Sequence, residues 1–117
     1  MKIEGIGLMA RIYIGESDTW QGRPLYEAIV HLLRERGLAG ATVLRGIEGY
    51  GAKQHIHTTR ILRLSEDLPV LIEVVDAEDR VRAVLPELDA MVAGGLITLE
   101  RVEVIAYRAD GERSPSD

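Results

Sequence analysis

Apolar and polar positions alternate over residues 8–14, with Ala10, Ile12 and Ile14 on one side and Met9, Arg11 and Tyr13 on the other. A period of two predicts a strand with at least one buried face. Residues 15–22 are polar, hold turn formers, and read as a loop. After Pro24, which suits a first helical position, Leu25, Ala28, Ile29 and Leu32 recur at helical spacing. Glu27 sits near the positive end of that helix dipole, Arg34 and Arg36 favour its last turn, and Gly37 can close it in the left-handed conformation. A second strand is expected at 41–47, β-branched at Thr42, Val43 and Ile47. From 48 to 68 no strong period appears, although residues 60–64 alternate as a short hairpin arm would. A loop this long in a small domain is usually functional or mobile, and 51–67 is expected to be the most mobile internal segment.

The run at 69–75 predicts a third, centrally buried strand. Asp76 then reads as an N-cap, with Asp79 three residues on imitating a capping box. Val81, Val84, Leu85, Leu88, Met91 and Val92 form the stripe of a second helix, in which Pro86 predicts a kink rather than a break. Gly94 and Gly95 stop this helix, and 96–107 reads as the fourth strand. Residues 1–7 and 110–117 are expected to fray.

Strand, helix, strand, strand, helix, strand, with right-handed crossovers, predicts an α+β fold. Its arrangement is ferredoxin-like βαββαβ, an antiparallel sheet with both helices on one face. Met9, Tyr13 and Ile105 make the uncovered face apolar as well, which predicts a symmetric homo-oligomer.

The length, 117 residues, is that of one domain spanning 1–117. Apolar residues at 46% and charged residues at 28% describe a folded chain rather than a disordered one. Nineteen acids against fourteen bases leave a formal charge of −5, which argues against a nucleic-acid partner. With no cysteine, disulfides, thiolate metal sites and cysteine nucleophiles are excluded. No apolar run approaches the ~20 residues of a membrane helix, and the start around Glu4 is too polar for a signal peptide, so a cytoplasmic, non-membrane protein is expected.

Enzyme chemistry finds little purchase. No nucleophile elbow, Walker loop or dinucleotide fingerprint is present. Ser17 and Asp18 read as turn residues bonding their own backbone, and the acid pairs Glu16/Asp18 and Glu66/Asp67 as solvated faces. His55 and His57 would share a face of an extended loop and could hold a divalent metal, or simply bond locally. His31 reads as a surface residue on the first helix, and Trp20 as a packing anchor for its loop. The most informative stretch is Arg45-Gly46-Ile47-Glu48-Gly49-Tyr50-Gly51. Its glycines let backbone N–H groups approach an anion and Arg45 adds a planar charged fork; the alternative is a bulge or turn leaving the strand.

Long blocks of the chain carry a resemblance: Ile12-Tyr13-Ile14-Gly15-Glu16-Ser17-Asp18, Gly22-Arg23-Pro24-Leu25-Tyr26-Glu27-Ala28-Ile29, Gly40-Ala41-Thr42-Val43-Leu44-Arg45-Gly46 and onward to Gly51, and Leu68-Pro69-Val70. Together they resemble the bacterial and archaeal proteins grouped as domain of unknown function 190, relatives of the nitrogen-regulatory PII signalling proteins. The resemblance implies a ferredoxin-like homotrimer and a non-enzymatic, regulatory role. It makes the segment after Tyr50 an effector-facing T-loop, and puts Gly94 and Gly95 in the second nucleotide-contacting loop and residues 107–112 in the third. A ligand site between subunits would then draw on Arg45, Gly46, Gly49, Gly51, Gly94, Gly95 and Arg108. PII proteins follow their second-loop glycine with a phosphate-contacting lysine, where this chain has Leu96, and end in an Arg-x-Arg pair, where it has Tyr107-Arg108-Ala109. Fewer cations predict an adenine mono- or diphosphate in preference to ATP. The target implied is a membrane transporter, such as a fluoride channel, or an enzyme. A second reading is a divalent-metal-binding trimer like the cation-tolerance proteins of the same fold, with His55 and His57 as ligands.

Overall fold

One strand satisfies its backbone on both sides and organises the rest. In the computed structural model, which describes residues 3–51 and 67–110, β1 (Gly5–Gly15) lies between β5 (Pro69–Asp76) and β6 (Leu96–Val104), antiparallel to both. β4 (Thr42–Arg45) extends the sheet beyond β5, giving the order β4-β5-β1-β6. Helix α1 (Leu25–Glu35) connects β1 to β4, and α2 (Glu78–Met91) connects β5 to β6. This is the expected α+β, ferredoxin-like arrangement. The 15–22 segment is more than the expected loop: Thr19–Trp20 (β2) and Arg23–Pro24 (β3) form a small hairpin whose turn residues, Gln21 and Gly22, both have positive φ. That geometry matches the right-handed twist of paired strands, and two-residue strands are too short to show a period.

The core lies on the helix side of the sheet. Leu25, Ala28, Ile29 and Leu33 of α1, with Val81, Val84 and Leu88 of α2, are buried over Leu8, Ala10, Ile12 and Ile14 of β1 and Val70, Ile72 and Val74 of β5. Each buried Leu, Ile or Val contributes about 1.5–3 kcal/mol by leaving water, and each alanine less. Trp20 packs against this core, as does Leu32, while Leu33 takes the deeper position. Gly37 closes α1 with φ +79°, in the left-handed region expected of it.

Several boundaries move. β1 begins at Gly5, so residues 5–7, expected to fray, pair with Val102–Val104. Pro24 caps α1 rather than opening it. β4 is four residues, shorter than the 41–47 run, and β6 ends at Val104 instead of continuing to Tyr107. Asp76 is not an N-cap: it is the last residue of β5, Ala77 precedes the helix, and no side-chain cap bond forms. α2 runs unbroken through Pro86. The hairpin arm expected at 60–64, and the mobility expected of the long segment, lie outside the described residues.

The opposite sheet face is organised in rows by strand register. Leu44, Leu71, Tyr13 and Leu96 line up across all four strands, followed by the row Thr42, Glu73, Arg11 and Thr98. Tyr13, Leu44 and Leu96 are exposed, whereas Met9 in the next row is buried. Arg11 donates from Nε to Glu73 at 3.0 Å, with Glu100 3.9 Å from its Nη1. The face is therefore an apolar band beside a charged one. Ile105, expected on it, falls beyond the end of β6.

Candidate functional site

The end of the sheet where β4 stops is held by a tight turn and by glycines. The Gly46 amide donates to the Pro69 carbonyl at 2.7 Å, prolonging the β4–β5 ladder by one bond. A Cβ on Gly46 would lie 2.7 Å from Pro69 Cγ, and one on Gly49 3.2 Å from the same atom. These two glycines let the chain wrap Pro69 as it leaves the strand. The Gly46 amide is therefore spent on Pro69, and the glycines here serve the turn leaving the strand, with the exposed Arg45 side chain as the charged donor beside it.

Arg45 pairs from Nη2 with Glu16, not with Glu73, which is engaged by Arg11. Glu16 is placed by the turn after β1. Within it the Gly15 amide donates to Asp18 Oδ2 at 2.9 Å and the Asp18 amide to the Gly15 carbonyl at 3.2 Å. The turn is bound to the start of β5: the Glu16 amide donates to the Leu68 carbonyl at 2.8 Å and the Ser17 amide to Asp67 Oδ1 at 2.6 Å. Of the acids read as solvated faces, Asp18 closes its own turn, Asp67 anchors it, and Glu16 holds the arginine. The local signal covered only Asp18, because its partner is three residues away.

Gly95 sits at the same end of the sheet but on the other edge. A Cβ there would be driven into the Tyr13 carbonyl oxygen, with Val92 Cγ1 at 3.0 Å. Gly94 has open space around it. With β5 and β1 between β4 and β6, the Arg45–Gly46 edge and the Gly94–Gly95 edge are about 14 Å apart at the usual ~4.8 Å strand spacing. Arg108 is at the far end of the sheet, where β6 leaves Gly5: the preceding Tyr107 accepts from the Ile3 amide at 3.3 Å and donates its hydroxyl to the Ala39 carbonyl. One chain thus brings Arg45, Gly46 and Gly49 to one edge, Gly94 and Gly95 to another, and Arg108 to neither, while a side chain at the exposed Gly51 would stand in open space.

Two concavities lie elsewhere. One of about 350 Å³ is lined by Ile3, Val75, Val102 and Val104 near Tyr107, and one of about 390 Å³ lies between Trp20, Arg23, His31 and Met91. Both are shallow and open, and neither contains a residue of the anion set. His31 is exposed and pairs with Glu35 at 2.6 Å. His55 and His57 lie outside the described residues, and among the described ones no cluster of three or more His, Asp or Glu could hold a metal. No helix of the described residues is long and apolar enough to cross a membrane.

Comparison with known proteins finds the sequence profile of DUF190, described as Uncharacterized ACR, matching residues 7–104. A UPF0166 protein of Aquifex aeolicus is 40% identical over 97 residues, 83% of this chain and 91% of that one. A UPF0166 protein of Methanocaldococcus jannaschii is 41% identical over 90 residues, 76% of this chain and 82% of that one. Among solved structures, CPII, a nitrogen regulatory PII-like protein from Thiomonas intermedia K12 bound to ADP, AMP and bicarbonate, superposes with a TM-score of 0.66 at 16% identity, over 85% of this chain and 88% of that one. A second structure of CPII, with ADP and bicarbonate, gives 0.59 at 16% identity over 85% and 88%.

Proposed function

Because this chain belongs to the DUF190 family and has the PII-like fold, we propose that it is a non-enzymatic regulatory protein. In this reading it binds a small anionic ligand, an adenine mono- or diphosphate, between the subunits of a homotrimer. The observation that carries this reading is the separation of the candidate residues along the sheet end. Arg45, Gly46 and Gly49 lie on one edge and Gly94 and Gly95 on the other, too far apart for one phosphate to touch both. A cyclic assembly sets one edge of each copy against the opposite edge of the next, and so brings the two halves together. Arg108, tied to the far end of its own sheet, would join only from a neighbouring chain.

The apolar row Leu44, Leu71, Tyr13 and Leu96 supplies the surface that such copies would bury. The ligand class is supported by CPII, described with ADP, AMP and bicarbonate. The segment between Gly51 and Asp67 is proposed as the effector, acting on a transporter or an enzyme.

Calorimetric titration with ADP, AMP and ATP, alongside divalent metals, tests the reading, with light scattering for the assembly. ADP or AMP should bind to a trimer more tightly than ATP. Arg45→Ala and Arg108→Ala should each weaken binding by about 1.5–3 kcal/mol, the value of a hydrogen bond to a charged group. Absence of any nucleotide binding, or a stable monomer at micromolar concentration, would overturn it. Metal binding without nucleotide binding would favour the cation-binding alternative.

A further inference from the structure

We propose that Glu16 is the charge-selectivity residue of this anion site: it competes with the ligand for Arg45 and penalises each additional negative charge that the ligand carries. The inference rests on the reading of Arg45 as a ligand contact.

Its basis is the rigidity with which Glu16 is delivered. The turn carrying it is closed on itself by the Gly15–Asp18 pair of bonds and fastened to β5 through Leu68 and Asp67. The Asp67 carboxylate also occupies the space over Gly15, where a Cβ would collide with it, so a side chain at 15 would push the turn off its anchor. With its backbone held at three points, Glu16 has a side chain only 28% exposed, directed at Arg45 Nη2. The Arg45 side chain is 62% exposed, so donors not engaged by Glu16 are open to solvent at the end of β4. An anion approaching those donors meets an arginine whose charge is already balanced by a fixed carboxylate.

The consequences follow from Coulomb's law. Binding must weaken or share the Arg45–Glu16 pair, which lowers the affinity for every anion. The repulsion from Glu16 then grows with ligand charge. For charges about 7 Å apart in an effective dielectric of about 40–60, each extra negative charge weakens binding about four- to eightfold. The carboxylate therefore acts in the same direction as the missing cations at Leu96 and Tyr107, against a triphosphate. It does so from a residue 29 positions from its partner, with no mark in the local sequence.

The test is titration of the whole protein with AMP, ADP and ATP at low salt, for the parent, Glu16→Gln, Glu16→Ala, Arg45→Ala and the double variant Glu16→Gln/Arg45→Ala. Glutamine keeps the shape and one acceptor while removing the charge. The expected result is tighter ADP binding by E16Q, at least fourfold, with a larger gain for ATP than for AMP, and a smaller gain once Arg45 is alanine, where relief of the repulsion remains and relief of the competition does not. E16A, should E16Q not fold, is expected to shift the ATP-to-AMP affinity ratio the same way. An unchanged ratio in folded E16Q, with R45A still weakened, would overturn the role of Glu16 and leave the binding site standing. Equal weakening of all three nucleotides in E16Q would overturn it too, marking Glu16 as an attractive contact. No binding by the parent or by any variant would remove the nucleotide reading itself, and this inference with it.

Discussion

Replacing Asp76 should cost more stability than any other single polar substitution in the described part of the sheet. Its side chain is the one buried polar or charged group among the described residues, 1% exposed at the end of β5, opposite Leu8. Oδ2 accepts the Ala39 amide at 2.8 Å and Oδ1 the Ala77 amide at 2.6 Å. The carbonyl of Ala39 in turn accepts the Tyr107 hydroxyl, so one carboxylate fixes the connection entering β4, the start of α2 and, through Ala39, the segment after β6. A hydrogen bond to a charged group contributes about 1.5–3 kcal/mol, and a buried donor left without a partner costs a similar amount. The two bonds share one side chain and removing it also relieves the cost of a buried charge, so they do not simply add. For Asp76→Ala we expect a loss of about 2–4 kcal/mol.

Asp76→Asn retains one acceptor but points an NH₂ at the other amide, and should lose about 1–2 kcal/mol. Urea unfolding followed by circular dichroism measures both, at one fixed protein concentration because assembly makes the midpoint concentration-dependent. With a slope of about 1.5–2 kcal/mol/M, a 3 kcal/mol loss lowers the midpoint by about 1.5–2 M. An Asp76→Ala variant within about 0.5 kcal/mol of the parent, or an Asn variant less stable than the Ala one, would refute the assignment.

Two further predictions come from other parts of the sheet and helices. Gly95→Ala forces a methyl into the Tyr13 carbonyl and Val92, and should destabilise by about 1–3 kcal/mol, whereas Gly94→Ala, with open space, should be near neutral; equal melting temperatures for the two would contradict this. The Glu87 carboxyl is held below the usual range, first by its hydrogen bond from Arg36 and then by that residue's charge. Because the folded pKa is depressed, what the pair contributes is present above the unfolded carboxylate pKa and is lost as pH falls through the folded one. An NMR titration should place Glu87 below a free glutamate, and Arg36→Met should move it back up; no movement would mean the pair is absent in solution.

What the sequence by itself determined is whatever repeats within a few residues of itself. The two-residue period of β1, the helical stripes ending at Gly37 and at Gly94–Gly95, and hence the βαββαβ order, are all short-range signals. Helix and strand periods are properties of consecutive residues. The blocks from Ile12 to Val70 likewise carried the family resemblance. The candidate site was legible only as a list of residue types. Tertiary structure decided that Gly46 and Gly49 give room to Pro69, that Arg45 faces Glu16, and that Asp76 reaches back 37 residues to Ala39 instead of capping α2. It also decided that Gly94 and Gly95 share a sheet end with Arg45 while Arg108 does not, since strand order and register set which ends coincide. A carboxylate's preference for a local amide or a distant arginine differs by about 1 kcal/mol, and that choice is made by the packing of strands whose pairing no local pattern encodes.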